Sequence, residues 1–505
     1  MSNITPSGGT DAPEGSPSER QKLDRAFVGG VAWTAGAKWL SQLISWPSVL
    51  ITARLLSPAD FGLVEMAGFY FIVTNIMAEF GIGMAVLQMR ELDMAVTAQL
   101  NTVSAMSGLA AFLISVAAAP LIASFFRAPA LHNLVIVTSL SFILTSLEAI
   151  PLGLLQRDMN YKRLSVAESV QAIVTAIVSV GCAFAGMGYW SLIAGNLLGR
   201  GANIGLAIYW RPARFSIPRW TEIRQPLRFG MQIAVQRVTG SINGLSDVMV
   251  IGRTLGQAQV GAYRLATNLA STPSEKIGGL IMRVTGPLFA RVQTDKALML
   301  RYFLIFSETI AMATFPLLFG LALVAPEAVQ LLLGPKWAEA SDPLRWLAIF
   351  MSVRTLSYLI NQLLATLRLT AFGMRISMVN FILMPIVFYI ASRWGVGTVA
   401  MSWLVMSPIT ILPAAVKVFR SIGCSVGQYI RALEPGIVGS AVMLAAVCAL
   451  RRWVTLRGWT GLSAEVAVGG LAYCGVLGGL YLHRLSRFFR FFRDLRSRGG
   501  ESVAA

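Results

Sequence analysis

Apolar runs of about 20 residues recur along the whole chain, separated by short hydrophilic links, and no other feature restricts its fold so severely. A run of that length lets one α-helix cross a bilayer. Inside hydrocarbon only helices and closed barrels satisfy their own backbone hydrogen bonds. The runs fall near 27–53, 61–86, 97–124, 133–155, 166–187, 189–209, 229–252, 260–282, 302–325, 343–366, 373–392, 396–416, 433–450 and 459–482. They predict an all-α integral membrane protein with about fourteen transmembrane helices. Only 13% of the 505 residues are charged, about half the fraction usual in a soluble domain. The links leave no room for a further soluble domain, the longest outer one being 326–342.

The basic residues set the orientation. Most of the 42 lysines and arginines fall in links that are cytoplasmic when the N-terminus lies inside, such as 156–165, 210–228 and 283–301. Cytoplasmic loops of membrane proteins carry that excess, so both termini are expected in the cytoplasm. Residues 1–25 are polar and rich in Gly, Ser and Pro, a disordered cytoplasmic tail by composition. No cleavable signal is expected, because the first apolar run is long enough to remain as a span. Residues 484–505 interleave Arg484, Arg487, Arg490 and Arg493 with Phe488, Phe489, Phe491 and Phe492, and read as a basic tail lying on the anionic inner leaflet.

The net charge of +18 does not indicate nucleic acid, since the cations are spread between apolar spans and not gathered on one soluble face. Cys182, Cys424, Cys448 and Cys474 lack metal-ligand spacing and read as small core residues. His132 and His483 are too few and too far apart for a metal site or a His-based triad. No catalytic residue, metal or cofactor is expected.

Six cations, Lys38, Arg200, Arg237, Arg264, Lys276 and Arg354, lie inside the spans. A charge at the centre of a bilayer costs about 3 kcal/mol or more, so such a residue faces a wet cavity or a partner. Together they suggest an internal cavity that attracts an anion such as a phosphate, and hence a transporter. Arg offers a planar fork that matches phosphate oxygens, while Lys acts as a point charge. Lys38, Arg200 and Arg354 lie near the middle of their spans and are the first candidates. Arg237 and Lys276 sit towards the cytoplasmic half, and Arg264 towards the outer end. The alternative is that these cations pair with Glu65, Glu79, Glu148, Glu168, Asp247, Glu275 or Glu308 and only hold helices together. Asp247 and Glu308 are also candidates for coupling transport to H⁺ or Na⁺.

A repeat is written in the chain. Val49–Ala67 reads VLITARLLSPADFGLVEMA and Val248–Ala266 reads VMVIGRTLGQAQVGAYRLA, so that Val49, Arg54, Leu56, Ala59, Gly62 and Ala67 match Val248, Arg253, Leu255, Ala258, Gly261 and Ala266. Six spans separate the copies, so both enter the membrane in one direction, as two parallel halves would. The division is then 26–209 for an N-lobe of six spans, 210–228 for a cytoplasmic linker and 229–420 for a C-lobe of six. Residues 421–483 hold two further helices. Two parallel six-helix lobes would enclose a central cavity and rock about it. Pro47, Pro151, Pro316, Pro385, Pro408 and Pro413 interrupt spans, and Gly475 and Gly479 form a GxxxG that predicts close packing of the last span against span thirteen or a second chain. Tyr70, Phe71, Tyr358, Phe381 and Phe388 are aromatic candidates for stacking on sugars.

LLSPADFGLVEMA (55–67), EFGIGMAVLQ (79–88), LLQRDMNYKRLS (154–165), DVMVIGRTLGQAQVGAYRLA (247–266) and LLLGPKWAEA (331–340) resemble the polysaccharide transport family. This is the Wzx-type branch of the multidrug/oligosaccharidyl-lipid/polysaccharide flippase superfamily. The resemblance runs from about 27 to 420. It implies a bacterial inner-membrane flippase that moves an oligosaccharide on undecaprenyl diphosphate from the cytoplasmic to the periplasmic leaflet. Exopolysaccharide, capsule or O-antigen synthesis would follow, with polymerase and export proteins as possible partners. The family has no strict catalytic motif to carry over. An ion-coupled multidrug exporter of the same superfamily is the alternative, although it would want an acid-dominated cavity. A membrane polymerase or glycosyltransferase is a second alternative; such enzymes usually need a sizeable periplasmic loop carrying acids or His, and the longest outer loop, 326–342, is short, with Glu327, Glu339 and Asp342 but no His.

Overall fold

The computed structural model of the protein describes residues 41–79, 93–242, 246–454 and 458–484, together with Ile82, Gly83 and Val86. The described residues are mostly helical, with an extended link at 211–219 and no strand. The described part of α1 covers 41–55, and α2 is Pro58–Glu79. Then come α3 (Met94–Phe126), α4 (Ala130–Arg157), α5 (Tyr161–Phe184), α6 (Trp190–Trp210), α7 (Trp220–Ile242), α8 (Ser246–Thr254) and α9 (Gln257–Arg291). The chain continues through α10 (Lys296–Leu323), α11 (Ala325–Leu332), a 3₁₀ turn (Pro335–Ala340), α12 (Ser341–Thr366), α13 (Thr370–Ala391), α14 (Val396–Ile422), α15 (Val426–Trp453) and α16 (Gly458–Leu480).

Among the described residues nine helical stretches are long and apolar enough to cross a membrane, from Met94–Phe126 to Gly458–Leu480. The chain is an all-α integral membrane protein. Helix α9 is absent from the nine: it is polar in its first half, with Gln257, Gln259, Arg264 and Asn268, and charged in its second, with Glu275, Lys276, Arg283 and Arg291. Helix ends are defined locally. Asp295 accepts a hydrogen bond from Leu298 N–H at the start of α10, and Ser425 with Gln428 forms a capping box on α15. Pro47, Pro151, Pro316, Pro385, Pro408 and Pro413 all fall inside helices, which membrane bundles tolerate. The link 326–342, read from sequence as a loop, is largely α11 and the 3₁₀ turn.

Contacts group the chain into two compact units. The first gathers the described residues of Met1–Ile51, Thr74–Ala117 and Ile136–Arg237. In it α5 packs closely against α6. A Cβ added at Gly195 would lie 1.9 Å from Ser179 Oγ, and one at Gly199 would lie 2.0 Å from Thr175 Oγ1, so this GxxxG lets the helices touch. The stretch after α6 is tied to the start of α3: Arg219 N–H donates to Gln99 Oε1 at 2.7 Å, and Thr102 Oγ1 donates to the Ser216 carbonyl at 2.8 Å.

The second unit gathers Thr52–Val73, Ala118–Val135 and Val238–Ala505. Phe303 stacks on Tyr429 at 5.6 Å and meets Phe419 edge-on at 5.9 Å, in a core shared by α9, α10, α12, α14 and α15. A Cβ added at Gly475 or Gly479 would meet nothing within 4 Å among the described residues, so these two glycines do not pack against α15 within the chain. Helices α15 and α16 meet instead where Tyr473 covers Gly439 and where Gly469 faces Met443 and Val447, because the glycines on the facing stripe are those.

Candidate functional site

The repeat is a physical relationship in the second unit. Helix α2 starts at a turn in which Ser57 and Asp60 cap each other: Ser57 N–H donates to Asp60 Oδ2 at 2.9 Å and Asp60 N–H to Ser57 Oγ at 3.2 Å. Helix α9 starts after Gly256, whose φ of 87° favours glycine. The two helix starts then cross at a pair of glycines. A Cβ at Gly62 would lie 1.7 Å from the Gln257 carbonyl oxygen, and one at Gly261 would lie 1.9 Å from the Pro58 carbonyl oxygen. Gly62 and Gly261 are repeat counterparts, and so are Pro58 and Gln257. The crossing therefore has local two-fold symmetry.

One turn further along both helices, Arg264 Nε donates to Glu65 Oε2 at 2.9 Å, across 199 residues of sequence. That separation is the repeat offset, so each residue faces its own counterpart. Identical residues there would set like charges face to face; Glu against Arg makes a charge-assisted bond. The flanks repeat the arrangement with different chemistry. Trp337 Nε1 donates to the Ala53 carbonyl at 2.7 Å, whereas the counterpart Gly252 lies under the Phe126 ring. Arg54 donates to the carbonyls of Leu332, at 2.7 Å, and Leu331 at the C-terminal end of α11, which satisfies helix-end acceptors. Its counterpart Arg253 sits over the Phe125 ring at 5.8 Å.

Beside the crossing, Asp247 is 4% exposed. Tyr263 O–H donates to Asp247 Oδ2 at 2.7 Å, Val248 N–H donates to Oδ1 at 2.7 Å, and Trp403 Nε1 donates to Tyr263 Oη at 2.9 Å. Phe350 stacks on Trp403 at 5.4 Å and Phe388 packs against it at 5.1 Å. The carboxylate is thus satisfied by fixed donors in an apolar surround, as a buried charge requires.

The six intramembrane cations meet different fates. Arg264 is engaged by Glu65, as the pairing alternative anticipates. Arg354 points along a cavity between α12, α13 and α14 and pairs with no carboxylate among the described residues. Arg200 donates to Thr145 Oγ1 in the first unit, and its Nε is enclosed without a partner. Lys276 is exposed, as is its neighbour Glu275. Lys38 and the side chain of Arg237 lie outside what the structure describes, as do residues 1–25 and the tail beyond Arg484. Glu308 lies in an ion pair with Arg484 at 3.5 Å, and Arg484 also meets Glu434 at 3.5 Å. Of the aromatic candidates, Phe388 is wholly buried and Tyr358 fills the space over Gly278.

Tyr263 and Trp403, and the polar lining around Arg354, were not singled out from sequence. A signal for the lining exists. Arg354, Ser357 and Asn361 on α12, and Ser377 and Asn380 on α13, recur at three- and four-residue spacing, and so form polar stripes on otherwise apolar helices.

A family model described as polysaccharide biosynthesis protein matches residues 51–342. The lipopolysaccharide biosynthesis protein WzxC of Escherichia coli (strain K12) is 24% identical over 432 residues, 81% of this chain and 85% of that protein. The succinoglycan biosynthesis transport protein ExoT of Rhizobium meliloti (strain 1021) is 27% identical over 333 residues, 64% of this chain and 66% of that protein. The fold matches a solved structure titled lipid II flippase MurJ, inward closed conformation, with a TM-score of 0.72 at 14% identity, covering 90% of this chain and 99% of that one. An inward-facing multidrug resistance MATE family transporter of the MOP superfamily matches with a TM-score of 0.59 at 14% identity, over 76% of this chain and 96% of that one.

Proposed function

The chain belongs to the polysaccharide biosynthesis protein family, and from that premise we propose that it flips a lipid-linked oligosaccharide by alternating access. The cargo in this reading is a repeat unit on undecaprenyl diphosphate, moved from the cytoplasmic to the periplasmic leaflet of a bacterial inner membrane. The names of its relatives, lipopolysaccharide biosynthesis and succinoglycan transport, support an exopolysaccharide or O-antigen-type product. Polymerase and export proteins would act on the delivered unit, and the chain itself is a carrier and not an enzyme.

The observation that carries this reading is the symmetric crossing at Gly62 and Gly261, locked by Glu65 and Arg264. In the orientation favoured by the loop charges, with both termini cytoplasmic, it lies at the periplasmic end. An alternating-access carrier needs a closure held by few, separable polar bonds, and a glycine contact with one ion pair is of that kind. Coupling would reside at Asp247, whose two oxygens both accept hydrogen bonds. That setting suits gain and loss of a proton better than capture of Na⁺. Glu308, tied to Arg484, is the weaker candidate.

The test is leaflet exchange of a fluorescent undecaprenyl-diphosphate oligosaccharide in proteoliposomes. Exchange that depends on the protein supports the flippase. Absence of exchange under every ion gradient, together with efflux of a cationic dye, would instead make the chain a drug exporter.

A further inference from the structure

Residues 211–228 leave the end of α6 as an extended link and enter α7 at Trp220. Pro212 and Pro218 favour that conformation, since each fixes its own φ and pushes the preceding residue towards extended backbone. The link is pinned to the first turns of α3. Ser216 N–H donates to Thr102 Oγ1 at 3.1 Å, and Thr102 Oγ1 donates to the Ser216 carbonyl at 2.8 Å. Asn101 Nδ2 donates to the Arg214 carbonyl at 3.2 Å. Gln99 accepts from Arg219 N–H at 2.7 Å and donates to Glu222 Oε2 at 2.5 Å. A backbone held in this way does not turn its apolar side chains inward. Phe215, Ile217 and Trp220 are 61%, 85% and 66% exposed, and Phe215 and Ile217, two apart in an extended backbone, share one side.

Depth and charge together indicate what covers these side chains. Helix α3 has 33 residues, about 50 Å of length against a hydrocarbon core of about 30 Å. Shared between its two ends, the excess is about 10 Å at each. Thr102 lies about 12 Å from the start of α3 at Met94, so Ser216 sits where headgroups meet acyl chains. Exposed arginines accompany the apolar residues. Arg211 pairs with Asp158 and Arg219 with Glu222, whereas Arg214, Arg224 and Arg228 meet no carboxylate among the described residues. Apolar side chains at that depth beside uncompensated cations are complementary to an anionic leaflet, and to neither water nor a neutral one. We propose that 211–228 is a strap that binds anionic phospholipid. Phe215, Ile217 and Trp220 enter the boundary between headgroups and acyl chains, and Arg214, Arg224 and Arg228 hold lipid phosphates. In the orientation favoured by the loop charges, the leaflet is the cytoplasmic one. The strap lies outside the spans and takes membrane lipid, so its binding is independent of what the protein carries.

The experiment uses the full chain in nanodiscs of phosphatidylcholine, with or without phosphatidylglycerol. A nitroxide is attached through Ile217→Cys after Cys182, Cys424, Cys448 and Cys474 are replaced by serine, and its accessibility to oxygen and to a water-soluble nickel complex is measured. The expected label is reached by oxygen and shielded from nickel, about 5 to 10 Å inside the headgroup boundary, and deeper when phosphatidylglycerol is present. Arg214→Gln, Arg224→Gln and Arg228→Gln together should abolish the effect of phosphatidylglycerol. Arg487→Gln, Arg490→Gln and Arg493→Gln in the tail should leave it unchanged. Trp220 gives a second reading with the native cysteines in place. Brominated phosphatidylglycerol should quench the emission of wild type more than that of Trp220→Phe, and brominated phosphatidylcholine should show a smaller difference. A label open to nickel in every lipid would place the strap in water and overturn the assignment. Shielding from both reagents would put a second copy or another protein over it, which overturns it equally. The same depth and quenching in both lipids would remove the anionic lipid.

Discussion

Glu65 and Arg264 lie 199 residues apart in the chain and 2.9 Å apart in space, each at the position the internal repeat assigns to the other. Two helices related by a local two-fold axis meet along a line, and residues on that line face their own counterparts. Chemical divergence at such a position turns a repulsive contact into an attractive one. Glycine at the neighbouring counterparts, Gly62 and Gly261, lets the backbones approach until each Cβ position is filled by the other helix.

Charge reversal tests the pair. Glu65→Arg and Arg264→Glu should each weaken the crossing by about 1.5 to 3 kcal/mol, the usual worth of a hydrogen bond to a charged group. The double reversal should recover most of the loss. Cross-linking of cysteines placed on the two hairpins, together with flipping rates, would report it; additive losses in the double variant would remove the lock.

Alanine at Gly62 or Gly261 adds a Cβ against a carbonyl oxygen of the facing helix, whereas alanine at Gly279 meets nothing within 4 Å. The first two changes should lower thermal stability by about 1 to 3 kcal/mol through overpacking. Gly279→Ala should be neutral or slightly stabilising in its helix. A melt in which all three behave alike would contradict the crossing geometry.

Tyr263→Phe deletes the hydroxyl that donates to Asp247 and leaves a 4%-exposed carboxylate one partner short. The expected loss is about 1 to 3 kcal/mol or more. Asp247→Asn combined with Tyr263→Phe should cost less than the sum of the single changes, because the unpaired charge is gone. Denaturation of all three variants, read as a double-mutant cycle, decides it.

Coupling is separable from packing. Asp247→Asn should make flipping insensitive to a pH gradient, while Glu308→Gln should retain that sensitivity, since Glu308 is held by Arg484. Proteoliposomes under imposed H⁺ and Na⁺ gradients give the comparison. Retained pH response in Asp247→Asn would move coupling elsewhere.

The sequence by itself determined the membrane class, the helical fold and the repeat, because apolar length and hairpin patterning are properties of contiguous residues. Fixed spacing along one helix likewise leaves a readable stripe at Arg354, Ser357 and Asn361. Only the tertiary structure decided which intramembrane cations are compensated. Arg264 and Arg354 are both arginines in apolar helices, yet Glu65 reaches one and no described carboxylate reaches the other. That distinction depends on which helix faces lie opposite each other across hundreds of residues. Electrostatic energy falls with distance in space, and separation along the chain does not fix that distance.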